Sequence, residues 1–97
     1  MPILEISIMP IGTDEASFSS YIDKACHVVE NHGLQYRVTP MATMVEGEME
    51  KLMDVVRDVH SLPFASGVER VITNVTIDER RDKVMDMEQM VNSVNNH

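Results

Sequence analysis

Disulfides, long apolar runs, aromatic bulk and positive charge are all scarce in this sequence. Its one cysteine, Cys26, cannot form an internal disulfide, so a reducing cytoplasm is the expected setting. No apolar stretch approaches the roughly 20 residues that cross a bilayer, and the first residues lack the basic start and apolar core of a signal peptide. Tryptophan is absent, and two Phe and two Tyr supply all the aromatic surface. Eight basic side chains stand against sixteen acidic ones, giving a net charge of −8 that repels nucleic-acid phosphates and anionic lipid. Nucleic acid and membrane are therefore not expected as partners, whereas a cationic small molecule is favoured by the same field.

Motifs for chemistry are equally sparse. His27, His32, His60 and His97 are scattered without metal-ligand spacing, so neither a metal nor a cofactor is expected. There is no Gly-rich phosphate loop and no Gly-x-Ser-x-Gly elbow. Cys26 sits beside an apolar helical stripe, where an inert thiol is the simpler reading than a nucleophile. No catalytic residue is assigned.

What is present is a 43% hydrophobic fraction built from Met, Val and Ile, including nine Met, in 97 residues that fit one domain spanning 1–97. Leu4, Ile6 and Ile8 alternate with Glu5, Ser7 and Met9, which predicts a half-buried strand over Pro2 to Ile11. Gly12, Thr13 and Asp14 break it. Ser17 is placed to cap a helix whose Phe18, Tyr21, Ile22, Ala25, Val28 and Val29 share a stripe, with Gly33 as its stop. Leu34, Tyr36 and Val38 alternate as a second strand, Pro40 limits it, and Thr43 to Glu46 completes a hairpin. Met49, Leu52, Met53, Val56 and Val59 recur at helical spacing, closed by Pro63 and Gly67. Val68 to Asp78 is a fourth strand with Val71, Val75 and Ile77 on one face and Arg70, Ile72, Asn74 and Thr76 on the other. Val84, Met87, Met90, Val91 and Val94 predict a terminal amphipathic helix.

The order is βαββαβ plus a C-terminal helix, an α+β ferredoxin-like sandwich with a four-stranded antiparallel sheet and two helices on one face. That plan leaves the other face bare, with Met9, Met44 and Ile72 on or near it. Copies of the chain are expected to cover it.

Leu34-Gln-Tyr36-Arg-Val-Thr39-Pro40-Met41, then Glu46-Gly47-Glu48, Arg70-Val71 and Ile77-Asp78-Glu-Arg80-Arg81-Asp82 form a combined motif. On it the chain resembles the small thiamine-binding-protein family, the YkoF-like group of ferredoxin-fold proteins, over nearly its whole length. The resemblance implies a βαββαβ core, dimers paired into tetramers, and a bound thiamine or hydroxymethylpyrimidine near subunit contacts, with no chemical step. It departs at Ala42, where the motif usually carries Gly.

Thiamine joins an aminopyrimidine to a positively charged thiazolium ring, so its site needs convergent polar groups and charge compensation. Glu46 offers a carboxylate, Thr39 and Thr43 offer hydroxyls across the hairpin, and Met41 offers a sulfur for ring contact. Ser7 and Asn74 complete the expected ligand set. Each has a plainer role beside this one. Thr39, Pro40 and Met41 can simply shape a turn, Glu46 can serve the N-terminus of the second helix, and Ser7 and Asn74 can be ordinary sheet-surface residues. Arg70, Asp78, Arg80 and Arg81 read as an ion-pair cluster. The expected function is a non-catalytic cytoplasmic carrier or sensor for thiamine or a related pyrimidine. The alternative is a homo-oligomeric structural or regulatory module without a small-molecule ligand.

Overall fold

A computed structural model describes residues 1–12, 17–82, 87–88 and 91, with the side chains of 17–19 left aside. Six elements follow in chain order: β1 (Ile3–Pro10), α1 (Ser17–Asn31), β2 (Gln35–Val38), β3 (Thr43–Glu46), α2 (Met49–Ala65) and β4 (Val71–Asp78). The sheet order is β2-β3-β1-β4 and every pairing is antiparallel. The α+β, ferredoxin-like plan expected from the sequence is the one observed. Phe18, Val84, Met90 and Val94 of the expected helical stripes lie outside the described side chains. Met87 and Glu88 are helical, as is Val91.

Two residues apart means the same face, so the register assigns every strand side chain to a layer. Leu4 lies opposite Val45 and Ile77, and Ile6 opposite Thr43 and Val75; these face the helices. Leu4, Ile6 and Val45 are buried with Ala25 and Val29 of α1 and Leu52, Val55 and Val59 of α2. The α2 stripe is turned slightly from the expected one. Val55 is inside while Met53 is exposed, because α2 leans on β1 and β4 as well as on α1.

Both helices end in the same way. After α1, the Gly33 N–H donates to Glu30 O and the Leu34 N–H to Val29 O; after α2, the Gly67 N–H donates to Phe64 O and the Val68 N–H to Pro63 O. These are paired Schellman closures, and each needs a left-handed residue, which Gly33 (φ 72°) and Gly67 (φ 90°) provide. The second helix thus runs through Pro63 to Ala65 instead of stopping at the proline.

The outer sheet face is not bare throughout. Met87 is buried, and with Glu88 it borders a cleft shared with Gln35, Arg37 and Glu46 of that face. Ile3, on the same side, is buried too. Exposure persists at β4, an edge strand whose Ile72, Val75 and Ile77 stay 38 to 40% accessible on opposite sides of the sheet. The expected cluster of Arg70, Asp78, Arg80 and Arg81 takes another form. Arg80 grips Asp82 with two hydrogen bonds of 2.9 and 2.6 Å, and Arg81 meets Glu79 at 3.3 Å.

Tyr36 packs against the core and its hydroxyl donates to the Glu30 carboxylate at 2.5 Å, tying β2 to α1. That bond, followed by burial and the Glu30 charge, pushes the phenol up from 10.0 to about 12. The donated bond exists only while the phenol keeps its proton, so its stabilisation is full below pH 10.0 and fades as the pH climbs to about 12. The urea midpoint of the parent should therefore fall across that window relative to Tyr36→Phe. Parallel pH profiles for the two proteins would contradict this.

Candidate functional site

The turn joining β2 to β3 is built around one side chain. Thr39 Oγ1 donates to Ala42 O at 2.8 Å and accepts from the N–H groups of Ala42 and Met41 at 3.1 and 3.3 Å. The Thr39 N–H also donates to Ala42 O at 2.8 Å. A threonine hydroxyl has one proton to give and two lone pairs, so Thr39 is fully engaged in holding the turn. Ala42 has a negative φ there, so the position makes no demand for glycine.

Under this turn, between the hairpin, β1 and α1, is a cavity of about 200 Å³. Ile6, Ala25, Val59 and Thr43 belong to its buried part, whereas Ile22 and Met41 are exposed at its margin, Met41 at 82%. Ser7, Ile8, Tyr21 and Val38 complete the walls with the turn itself. The volume lies below the ~300–1,000 Å³ of pockets that enclose drug-sized ligands, which suits one heteroaromatic ring better than two.

Among the described residues, no carboxylate, amine, guanidinium, imidazole or thiol belongs to this lining. Its polar atoms are the turn backbone and the hydroxyls of Tyr21, Thr39 and Thr43, because the Ser7 side chain, between Ile6 and Ile8, faces the outer side of the sheet. Thr39 is already satisfied, but Thr43 is 6% exposed and its hydroxyl has no hydrogen-bond partner among the described residues. A buried hydroxyl left without a partner costs about 1–3 kcal/mol, so a molecule in the cavity that accepts or donates there recovers a real deficit. Tyr21 is equally buried at 6%, again with no hydrogen bond to its hydroxyl among the described residues.

Of the six residues expected at the site, Thr39, Met41 and Thr43 line this cavity, and Ser7 borders it from a strand position whose side chain faces the outer side of the sheet. Glu46 and Asn74 do not. Glu46 is three residues beyond Thr43 on β3, and an odd separation places it on the outer face, beside Gln35, Arg37 and Met87. Asn74 pairs with Ser7 at the register level but is exposed on β4. The residues missed were Tyr21, Ile22 and Ala25 of α1, Ile6 and Ile8 of β1, and Val59 of α2. A tyrosine within an otherwise apolar helical stripe was the available signal for the first of them.

Cys26 is held away from reactivity. Burial pushes its thiol up, the Tyr36 hydrogen bond only partly offsetting this, and Asp23 and Glu30 add in the same direction. Among the described residues no group of three or more His, Cys, Asp or Glu is gathered as a metal site would require. No helix among them is long and apolar enough to cross a membrane.

The chain belongs to the family described as thiamine-binding protein, whose model matches residues 4–95. It is 40% identical over 101 residues to the YqgV protein of Bacillus subtilis, covering 100% of this chain and 97% of that protein. The solved structure of the hypothetical protein MJ1052 from Methanocaldococcus jannaschii superposes with a TM-score of 0.86 at 30% identity, covering 99% of this chain and 97% of the other. A Thermotoga maritima protein assigned to thiamine biosynthesis or salvage superposes with a TM-score of 0.77 at 25% identity, over 96% of this chain and 97% of that one.

Proposed function

We propose that this protein binds thiamine or its hydroxymethylpyrimidine half, without chemical turnover, in the cavity beneath the Thr39–Ala42 turn, as a carrier or sensor in the cytoplasm. The observation that carries this reading is the buried Thr43, whose hydroxyl has no partner among the described residues, in a pocket of single-ring size. Membership of the thiamine-binding protein family supports the ligand class. So does the lining. An aminopyrimidine offers donors and acceptors at its edge for Thr43 and the turn backbone, and an apolar ring face for Ile6, Ile8 and Val38. Met41 at the mouth brings a polarisable sulfur to the ring, a contact worth roughly 0.3–1.5 kcal/mol. Thr39 acts indirectly, by fixing the turn. The described lining, apolar with hydroxyls, fits binding of a ring.

Self-association belongs to the same proposal. β4 is a free edge with Ile72 on one side and Val75 and Ile77 on the other, all well exposed, and such an edge readily pairs with a second chain. Dimers, and tetramers built from them, would cover it.

Calorimetry with thiamine and with the free pyrimidine tests the site. Thr43→Val should weaken pyrimidine binding about fivefold, the loss of one neutral hydrogen bond of about 1 kcal/mol, while leaving the unliganded protein's stability within about 1 kcal/mol of the parent. Undiminished affinity in that variant would refute the role of Thr43, and a parent that binds neither compound would favour the structural-module reading. Sedimentation equilibrium at micromolar concentration should report a dimer or larger; a mass of 11.0 kDa would remove the assembly.

A further inference from the structure

The ring cavity has a neighbour. On the other side of Tyr21 is a shallower cleft of about 480 Å³, bounded by Ile11, Gly12, the Ser66–Val68 turn and Glu69. Tyr21 lines both spaces. β1 and the residue after it also run past both, with Ile8 on the cavity and Ile11 on the cleft, about 10 Å apart at the rise of an extended chain. Among the described residues, nothing lies within 4 Å of a Cβ built on Gly12 or Gly67, so this second floor is open there.

The two spaces differ in charge. The cavity lining holds no ionised group, whereas the cleft holds Glu69, whose carboxylate has no ion pair or hydrogen bond among the described residues. Lys24 is the nearby opposite charge. Its ammonium sits 5.6 Å from the centre of the Tyr21 ring, but Lys24 lines neither space.

We infer that the site has two lobes divided by Tyr21, the uncharged cavity taking a neutral heteroaromatic ring and the Glu69 cleft taking the cationic part of the same ligand. The inference rests on the ring-cavity reading above and adds what that cavity lacks, compensation for a fixed positive charge. Tyr21 borders both lobes, and its hydroxyl, without a hydrogen bond among the described residues, can bond to the linker or to either ring. A free carboxylate in the second lobe also discriminates against ligands whose far end is phosphorylated, by like-charge repulsion.

Titration calorimetry on the full chain, with thiamine as the cationic two-ring probe and hydroxymethylpyrimidine as the neutral one-ring probe, tests this. Glu69→Gln should weaken thiamine about two- to fivefold, the range for a charge pair open to solvent, and leave the pyrimidine unchanged. Added salt should erode the parent's preference for thiamine more than the variant's. Equal thiamine affinity in parent and variant, or equal losses for both probes, would overturn the second lobe while the ring cavity stood. A parent that bound neither probe would overturn both.

Discussion

The hydrogen bonds that Thr39 makes across the β2–β3 turn are the constraint on which the rest of the site depends. With that turn closed, Val38 faces Thr43, Tyr36 faces Val45, and β3 is delivered to β1 with Ile6 opposite Thr43. Side chains alternate strictly along a strand, so this register alone sends the Thr43 hydroxyl under the helices and Met44 to the outer face. A slip of one residue would exchange them and bring the Glu46 carboxylate into the apolar core. Such a slip would bury a charge in place of a methyl-bearing alcohol, which is why the register is strongly specified.

Strand and helix periodicities made the element order legible in the sequence, and they placed Leu4, Ile6, Ala25, Val29, Leu52 and Val59 on stripes that the structure buries. The errors have physical causes. Periodicity puts Met53 inside and leaves out Val55, because a stripe with apolar residues at several neighbouring angles does not fix how the helix rolls on the sheet. Val75 and Ile77 share the helix-facing side yet remain exposed, because β4 is an edge strand that the helices only partly reach. Met87 and Glu88 border the outer face, a tertiary placement that periodicity does not encode.

The candidate site was half legible. The Thr39-Pro40-Met41 segment marks a turn that borders a cavity, and Thr43 lines the same cavity. Grouping Thr43 with Glu46 overlooked that three residues along a strand is an odd step, which parity alone would have caught. Glu46 would supply charge compensation, but it lies on the outer face, apart from the cavity. An uncharged pocket can discriminate ring shape and hydrogen-bonding pattern without the desolvation cost of a buried carboxylate. In a chain of net charge −8, attraction of a cation needs no carboxylate in the ring pocket itself.

The central claim is that the ligand sits on the helix-facing side of the sheet, beneath the hairpin, and not on the outer face. Methyl-resolved NMR during titration with hydroxymethylpyrimidine distinguishes these faces most directly. The account predicts that the methyl signals of Ile6, Ile8, Ile22 and Thr43 shift together in proportion to saturation, while those of Met9 and Ile72 stay still. Shifts confined to Met9, Met44 and Ile72, with Ile6 and Thr43 unmoved, would contradict it.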